Sequence, residues 1–77
     1  YTDSFAYNMA KISNQMILVM NPNSIDEIRD RGILEEKLEN YEDAIKFLNK
    51  YLEIEPNAED VDYVLELIRE IRGKINQ

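Results

Sequence analysis

The chain has 77 residues, 9 of them basic and 16 acidic for a net charge of -7, and it contains neither cysteine nor histidine. The missing thiols and imidazoles exclude disulfides, most zinc sites and the commonest general base, and the acidic balance makes nucleic acid and anionic membrane poor partners. So short a chain forms one small domain of modest stability, expected as a single helical unit over 1–77 and as a piece of a larger protein.

The first helix is expected over 3–20, with Thr2 or Asp3 as its cap. Its apolar residues fall on two adjoining stripes, Phe5, Met9, Ile12, Met16 and Val19, then Tyr7, Ala10, Ile17 and Leu18. An apolar arc this wide calls for neighbours on both sides. The downstream chain supplies one, and the other comes from outside this sequence or from a second copy. The methionines, at helical spacing, read as core filler. The longest apolar run, Met16 to Met20, falls far short of the roughly 20 residues that span a bilayer. No basic start with an apolar core marks a leader, so a cytoplasmic protein is expected.

Asn21-Pro22-Asn23 stops that helix. A second is expected over 24–38, opened by Ser24-Ile25-Asp26-Glu27, a capping box in which Ser24 and Glu27 satisfy each other's backbone donors. Its inward stripe is Ile25, Ile28, Leu34 and Leu38. Gly32 beside that stripe costs about 1 kcal/mol against alanine, so a close helix-helix approach is expected there. Arg31 sits three residues from both Ile28 and Leu34, which puts a guanidinium on the inward side. It needs a partner, and Glu27 and Glu35, four residues away on either side, are the candidates for a structural ion pair. The competing reading is that Arg31 and Arg29 dock a carboxylate or another domain.

Asn40 is expected to cap a third helix over 41–54. Tyr41, Ala44, Ile45, Leu48 and Leu52 face the second helix, while Phe47, Tyr51 and Ile54 lie on a flank for a following helix to cover. That helix is expected over 58–75, capped by Asn57, with Val61, Val64, Leu65, Ile68, Ile71 and Ile75 inward. Asp62, Glu66, Arg69, Glu70 and Lys74 form its wet face, with Glu70 and Lys74 spaced to pair. A last helix with one wet face is how helical arrays end.

An offset of 34 residues superimposes Tyr7, Ala10, Leu18 and Pro22-Asn23 on Tyr41, Ala44, Leu52 and Pro56-Asn57. That period is the length of one tetratricopeptide helix-turn-helix unit. The central 34 residues thus resemble a tetratricopeptide repeat, and the first 23 look like the second half of a preceding one. Lys11 and Asn14, standing where Ile45 and Leu48 stand, make that first unit degenerate. The fold class expected is all-α: antiparallel helix-turn-helix repeats, about four helices, ending in a capping helix. The run Glu27-Ile28-Arg29-Asp30-Arg31-Gly32, followed by Tyr41, Ala44, Leu48, Tyr51-Leu52 and Pro56, also resembles the C-terminal tail of bacterial SirB-type transglutaminase-like proteins. In that family a cysteine-protease-like domain lies upstream, and none of its machinery maps onto this sequence. Two departures stand out: Glu39 replaces the usual turn glycine, and Tyr51 replaces the general repeat's alanine.

The chemical inventory is short. Ser4, Ser13 and Ser24 lie in no nucleophile motif, and no glycine-rich phosphate loop is present. Asp60-Val61-Asp62 and the acids from Glu35 to Asp43 read as solvated surface. No enzyme activity and no cofactor or metal are expected. The expected role is binding protein or peptide through Asp26, Arg29, Ile33, Glu36 and Lys37. The alternative is a structural tail that docks on an upstream domain of the same chain or pairs with a second copy.

Overall fold

One repeat preceded by half of another and followed by a capping helix should stack its helices in alternation, and the chain does so. The computed structural model describes residues 2–76, with side chains from residue 4 to 76, so a cap at Thr2 or Asp3 lies outside the described side chains. Its helices are α1 (Thr2–Met20), α2 (Ile25–Lys37), α3 (Tyr41–Ile54) and α4 (Val61–Ile75). Each packs on the next in sequence. α1 and α3 form one layer and α2 and α4 the other, in a slab 36 × 33 × 17 Å.

α3 is the centre. Ala44, Leu48 and Tyr51 are buried against Ile28 of α2 and against Val64, Ile68 and Ile71 of α4. Gly32 makes the approach possible, because a Cβ there would lie 2.7 Å from Leu48 Cγ and Cδ2. The packing reason expected from its cost inside a helix is therefore Leu48. The connection to α3 is tight: the Glu39 N-H donates to the Glu36 carbonyl and the Asn40 N-H to the Glu35 carbonyl. This closure places Glu39 at φ 65°, a left-handed conformation in which glycine is the usual occupant.

Several local expectations are corrected. α4 starts at Val61 rather than at 58; Asn57 lies in the preceding turn and Asp60 takes the flanking position. Leu65 and Ile75 are exposed, because Val64, Ile68 and Ile71 define the narrower line of α4 that packs on α3. Ile54 is also exposed, on the side of α3 that it shares with exposed Lys50 one turn earlier. On α2 the buried residues are Ile28, Arg31, Gly32 and Glu35, while Leu34 is half-buried. Ser24, Asn40 and Asp60 all flank helix starts, and none gives its side chain to the helix N-terminus.

Candidate functional site

Two sets of polar side chains join neighbouring helices. Between α1 and α2 lies a buried network centred on Glu35, which is 1% exposed. Arg31 Nε donates to Glu35 Oε2 at 2.8 Å, Asn40 Nδ2 to Oε1 at 2.8 Å, and Lys11 Nζ lies 3.2 Å from Oε2. Burial alone would raise the Glu35 carboxyl's pKa. The donors from Asn40, Arg31 and Lys11 outweigh it and hold the group below the usual carboxylate range. The Arg31 guanidinium also donates to Asn14 Oδ1 at 3.5 Å and lies 4.9 Å from the Phe47 ring centroid. Asn14, itself 3% exposed, donates to both the carbonyl and the carboxylate of Glu27, at 2.9 and 3.0 Å.

Arg31 thus pairs with Glu35, while Glu27 is engaged by Asn14 and makes no bond to Arg31. The expected capping box does not form, since Glu27 serves an inter-helix contact. Among the described residues, every buried side-chain nitrogen and oxygen has a partner. Lys11 and Asn14, expected as lapses from the repeat, supply the cross-helix half of the network. The signal was available in the sequence: two polar departures on one helix stood opposite a charged pair on the next inward stripe.

The second set ties α2 to α4. Arg29 Nη1 reaches Asp60 Oδ2 at 3.1 Å, and the Tyr51 hydroxyl donates to Asp60 Oδ1. That hydroxyl, followed by Arg29, holds the Asp60 pKa low. The carboxylate in turn raises the Tyr51 pKa. Two turns along α2, Lys74 Nζ reaches Glu36 Oε2 at 2.9 Å. Lys74 therefore pairs across helices rather than with Glu70 as its spacing suggested, and the nearby Glu36 raises its pKa. Glu66 takes Arg69 instead.

These two straps frame a shallow face. Along α4, Asp60, Tyr63, Leu67, Glu70 and Lys74 follow at steps of three and four, so they share a side. Tyr63 and Glu70 are exposed there and Leu67 is half-buried. On α2, Asp26, Asp30, Ile33 and Lys37 follow in a row at steps of four, three and four; Asp26 and Lys37 are exposed, while Asp30 and Ile33 are half-buried and line the groove toward Ala10, Ser13 and Ile17 of α1. Of the five residues expected on the partner face, Asp26, Ile33 and Lys37 therefore share that row. Arg29 and Glu36 lie toward α4, held in the straps. The straps are mutually neutral, whereas the exposed carboxylates of Asp26 and Glu70 outnumber Lys37, so the face is acidic.

Among the described residues, no group of three histidine, cysteine, aspartate or glutamate side chains is gathered to hold a metal ion. Among the described residues no helix is long and apolar enough to cross a membrane. A family model described as Tetratricopeptide repeat matches residues 8–69. No curated protein and no solved structure matches the chain.

Proposed function

The chain belongs to the tetratricopeptide repeat family, and from that premise we propose that it is a non-catalytic module that binds a protein segment on the face between α2 and α4. The observation that carries this reading is the pair of straps, Arg29–Asp60 and Glu36–Lys74. They hold the two helices side by side, with Tyr63 and Leu67 on the same side of α4 as the straps and Ile33 and Lys37 on the neighbouring row of α2. Asp26, Ile33 and Lys37 contact the partner directly, and Arg29 and Glu36 fix the spacing of the helices. The excess of carboxylates favours a segment with basic residues flanking an apolar or aromatic anchor. With two helices lining it, the face is shallow, and binding to a free peptide is weak.

An NMR titration tests this. Adding a basic peptide with an aromatic anchor shifts the amides of Ile33, Lys37, Tyr63 and Glu70, while an acidic peptide of the same length leaves them in place. The exposed Tyr63→Ala change lowers the affinity without unfolding the chain. If neither peptide moves these resonances at millimolar concentration, the face does not bind segments of this kind.

A second reading takes the chain as a structural tail. It would dock on an upstream domain, as its resemblance to SirB-type transglutaminase-like proteins implies, or associate with itself. The apolar outer row of α1 favours it. In that reading Glu27, Arg31 and Glu35 act inside the tail, holding α1 to α2, rather than as the docking contact.

A further inference from the structure

The 34-residue offset that relates α1 to α3 also relates their surfaces. Met9, Ile12, Met16 and Val19 superimpose on Asp43, Lys46, Lys50 and Glu53. All eight are exposed. On α3 this charged row is exposed, and its Lys50 lines an open groove with Ile12, Met16 and Val19 of α1. On α1 the same row is apolar: Phe5, Met9, Ile12, Met16 and Val19 are each 50–80% exposed.

A preceding helix in the same stacking order does not account for this row. On α3, the side toward α2 carries Ala44, Phe47 and Tyr51, beside Gly32, Arg31 and Arg29 respectively. By the offset, a helix before α1 would sit against Ala10, Ser13 and Ile17. The outer row, of which Ile12, Met16 and Val19 border the open groove toward Phe47 and Lys50 of α3, would stay exposed.

We propose that the outer row of α1 pairs with the same row of a second copy of this chain. This inference develops the self-association arm of the second reading and is independent of the face between α2 and α4. Three observations select the occupant. The spacing of the row, four, three, four and three, is that of a coiled-coil seam, which a second helix bearing the same pattern fills knobs-into-holes. Among the described side chains of α1 the single charge is Lys11, and it turns inward to Glu35. In a chain of net charge -7, this row is where two copies meet without opposing carboxylates, and like charges across an interface are costly. At roughly 200 Å² for each large apolar side chain, the row exposes about 600 Å² per copy. Complete coverage of both rows would bury about 1,200 Å², so the contact lies at or below the lower end for a specific interface. The result is a symmetric, weak dimer.

Sedimentation equilibrium on the whole chain tests the proposal. The mass should rise from 9.1 kDa toward twice that value across the micromolar range. Met16→Glu and Met16→Lys, each at an exposed position, should keep the helical circular dichroism and weaken the dimer more than about tenfold. An equimolar mixture of the two variants should restore it as a heterodimer. A wild-type chain that stays monomeric at high micromolar concentration overturns the proposal and leaves the row to an upstream domain. Equal dimerisation by Met16→Glu overturns it as well. Met16→Glu should leave peptide binding between α2 and α4 intact, so the two readings fail separately.

Discussion

At the scale of single residues, Arg31 and Glu35 show what a buried charge requires. Arg31 is 9% and Glu35 1% exposed, and each is satisfied by the other and by groups from neighbouring segments. Removing one partner leaves the other buried and uncompensated, so Arg31→Ala should cost about 3–5 kcal/mol in urea unfolding. The double change Arg31→Met with Glu35→Leu should cost clearly less than the sum of the two single changes, because the desolvated charge leaves with its partner. Additive costs would mean that the pair is not coupled. The two glycines give a second comparison. A Cβ at Gly32 meets Leu48 at 2.7 Å, whereas one at Gly73 meets nothing within 4 Å. Gly32→Ala should therefore destabilise by about 1–3 kcal/mol despite better helix propensity. Gly73→Ala should stabilise by up to about 1 kcal/mol. Thermal melts of the two variants should shift in opposite directions.

At the scale of elements, polar side chains at and near helix starts are used to join helices. Asn40 donates to Glu35, Asp60 accepts from Tyr51 and Arg29, and Glu27 accepts from Asn14. A helix N-terminus at the surface can be satisfied by water, whereas Asn14, Glu35 and Tyr51 are buried and cannot. Ser24→Ala should consequently cost less than the roughly 1 kcal/mol typical of a lost cap. Asp60→Ala should cost more, since it strands the buried Tyr51 hydroxyl and the Arg29 guanidinium; denaturant midpoints of the two variants give the order. α1 differs from the other helices because its one fully buried side chain among those described is the polar Asn14. With little buried apolar surface, its amides should exchange with solvent faster than those of α3. Raising the protein concentration should slow that exchange if α1 pairs between copies.

At the scale of the whole molecule, acid should unfold the chain through its inter-helix carboxylates. Glu35 and Asp60 both have depressed pKa values in the folded state, Glu35 because its donors overcome burial and Asp60 chiefly because of the Tyr51 hydroxyl. A depressed carboxylate contributes stability that is fully present above its unfolded pKa, about 4. That contribution is lost as pH falls through the folded value. Stability should hold between neutrality and about pH 5 and then drop, with the α1–α2 contact and the Arg29–Asp60 strap weakening together. Tyr51 works in the other direction. Its raised pKa adds stability that is complete below the free tyrosine value of about 10 and lost as pH rises through the folded one. Urea midpoints across pH should trace both edges, and Tyr51→Phe should flatten the alkaline one.

The 34-residue period, the Pro22 and Pro56 stops and the helical spacing of apolar residues determined the all-α class, the number of helices and which helix follows which. These are short-range properties, set by backbone donors and by periods of three and four residues. Gly32 and Arg31 were legible for the same reason, because each is anomalous within its own turn of helix. The destinations of the polar side chains were not. Whether Glu27 turns to Ser24 or to Asn14, whether Asp60 stays in water or receives Tyr51, and whether Lys74 meets Glu70 or Glu36 depends on which groups are left without water after the layers have closed. The tertiary structure decided these pairings, along with the side of α1 that stays bare, because desolvation arises from the stacking of helices and is absent from any one of them.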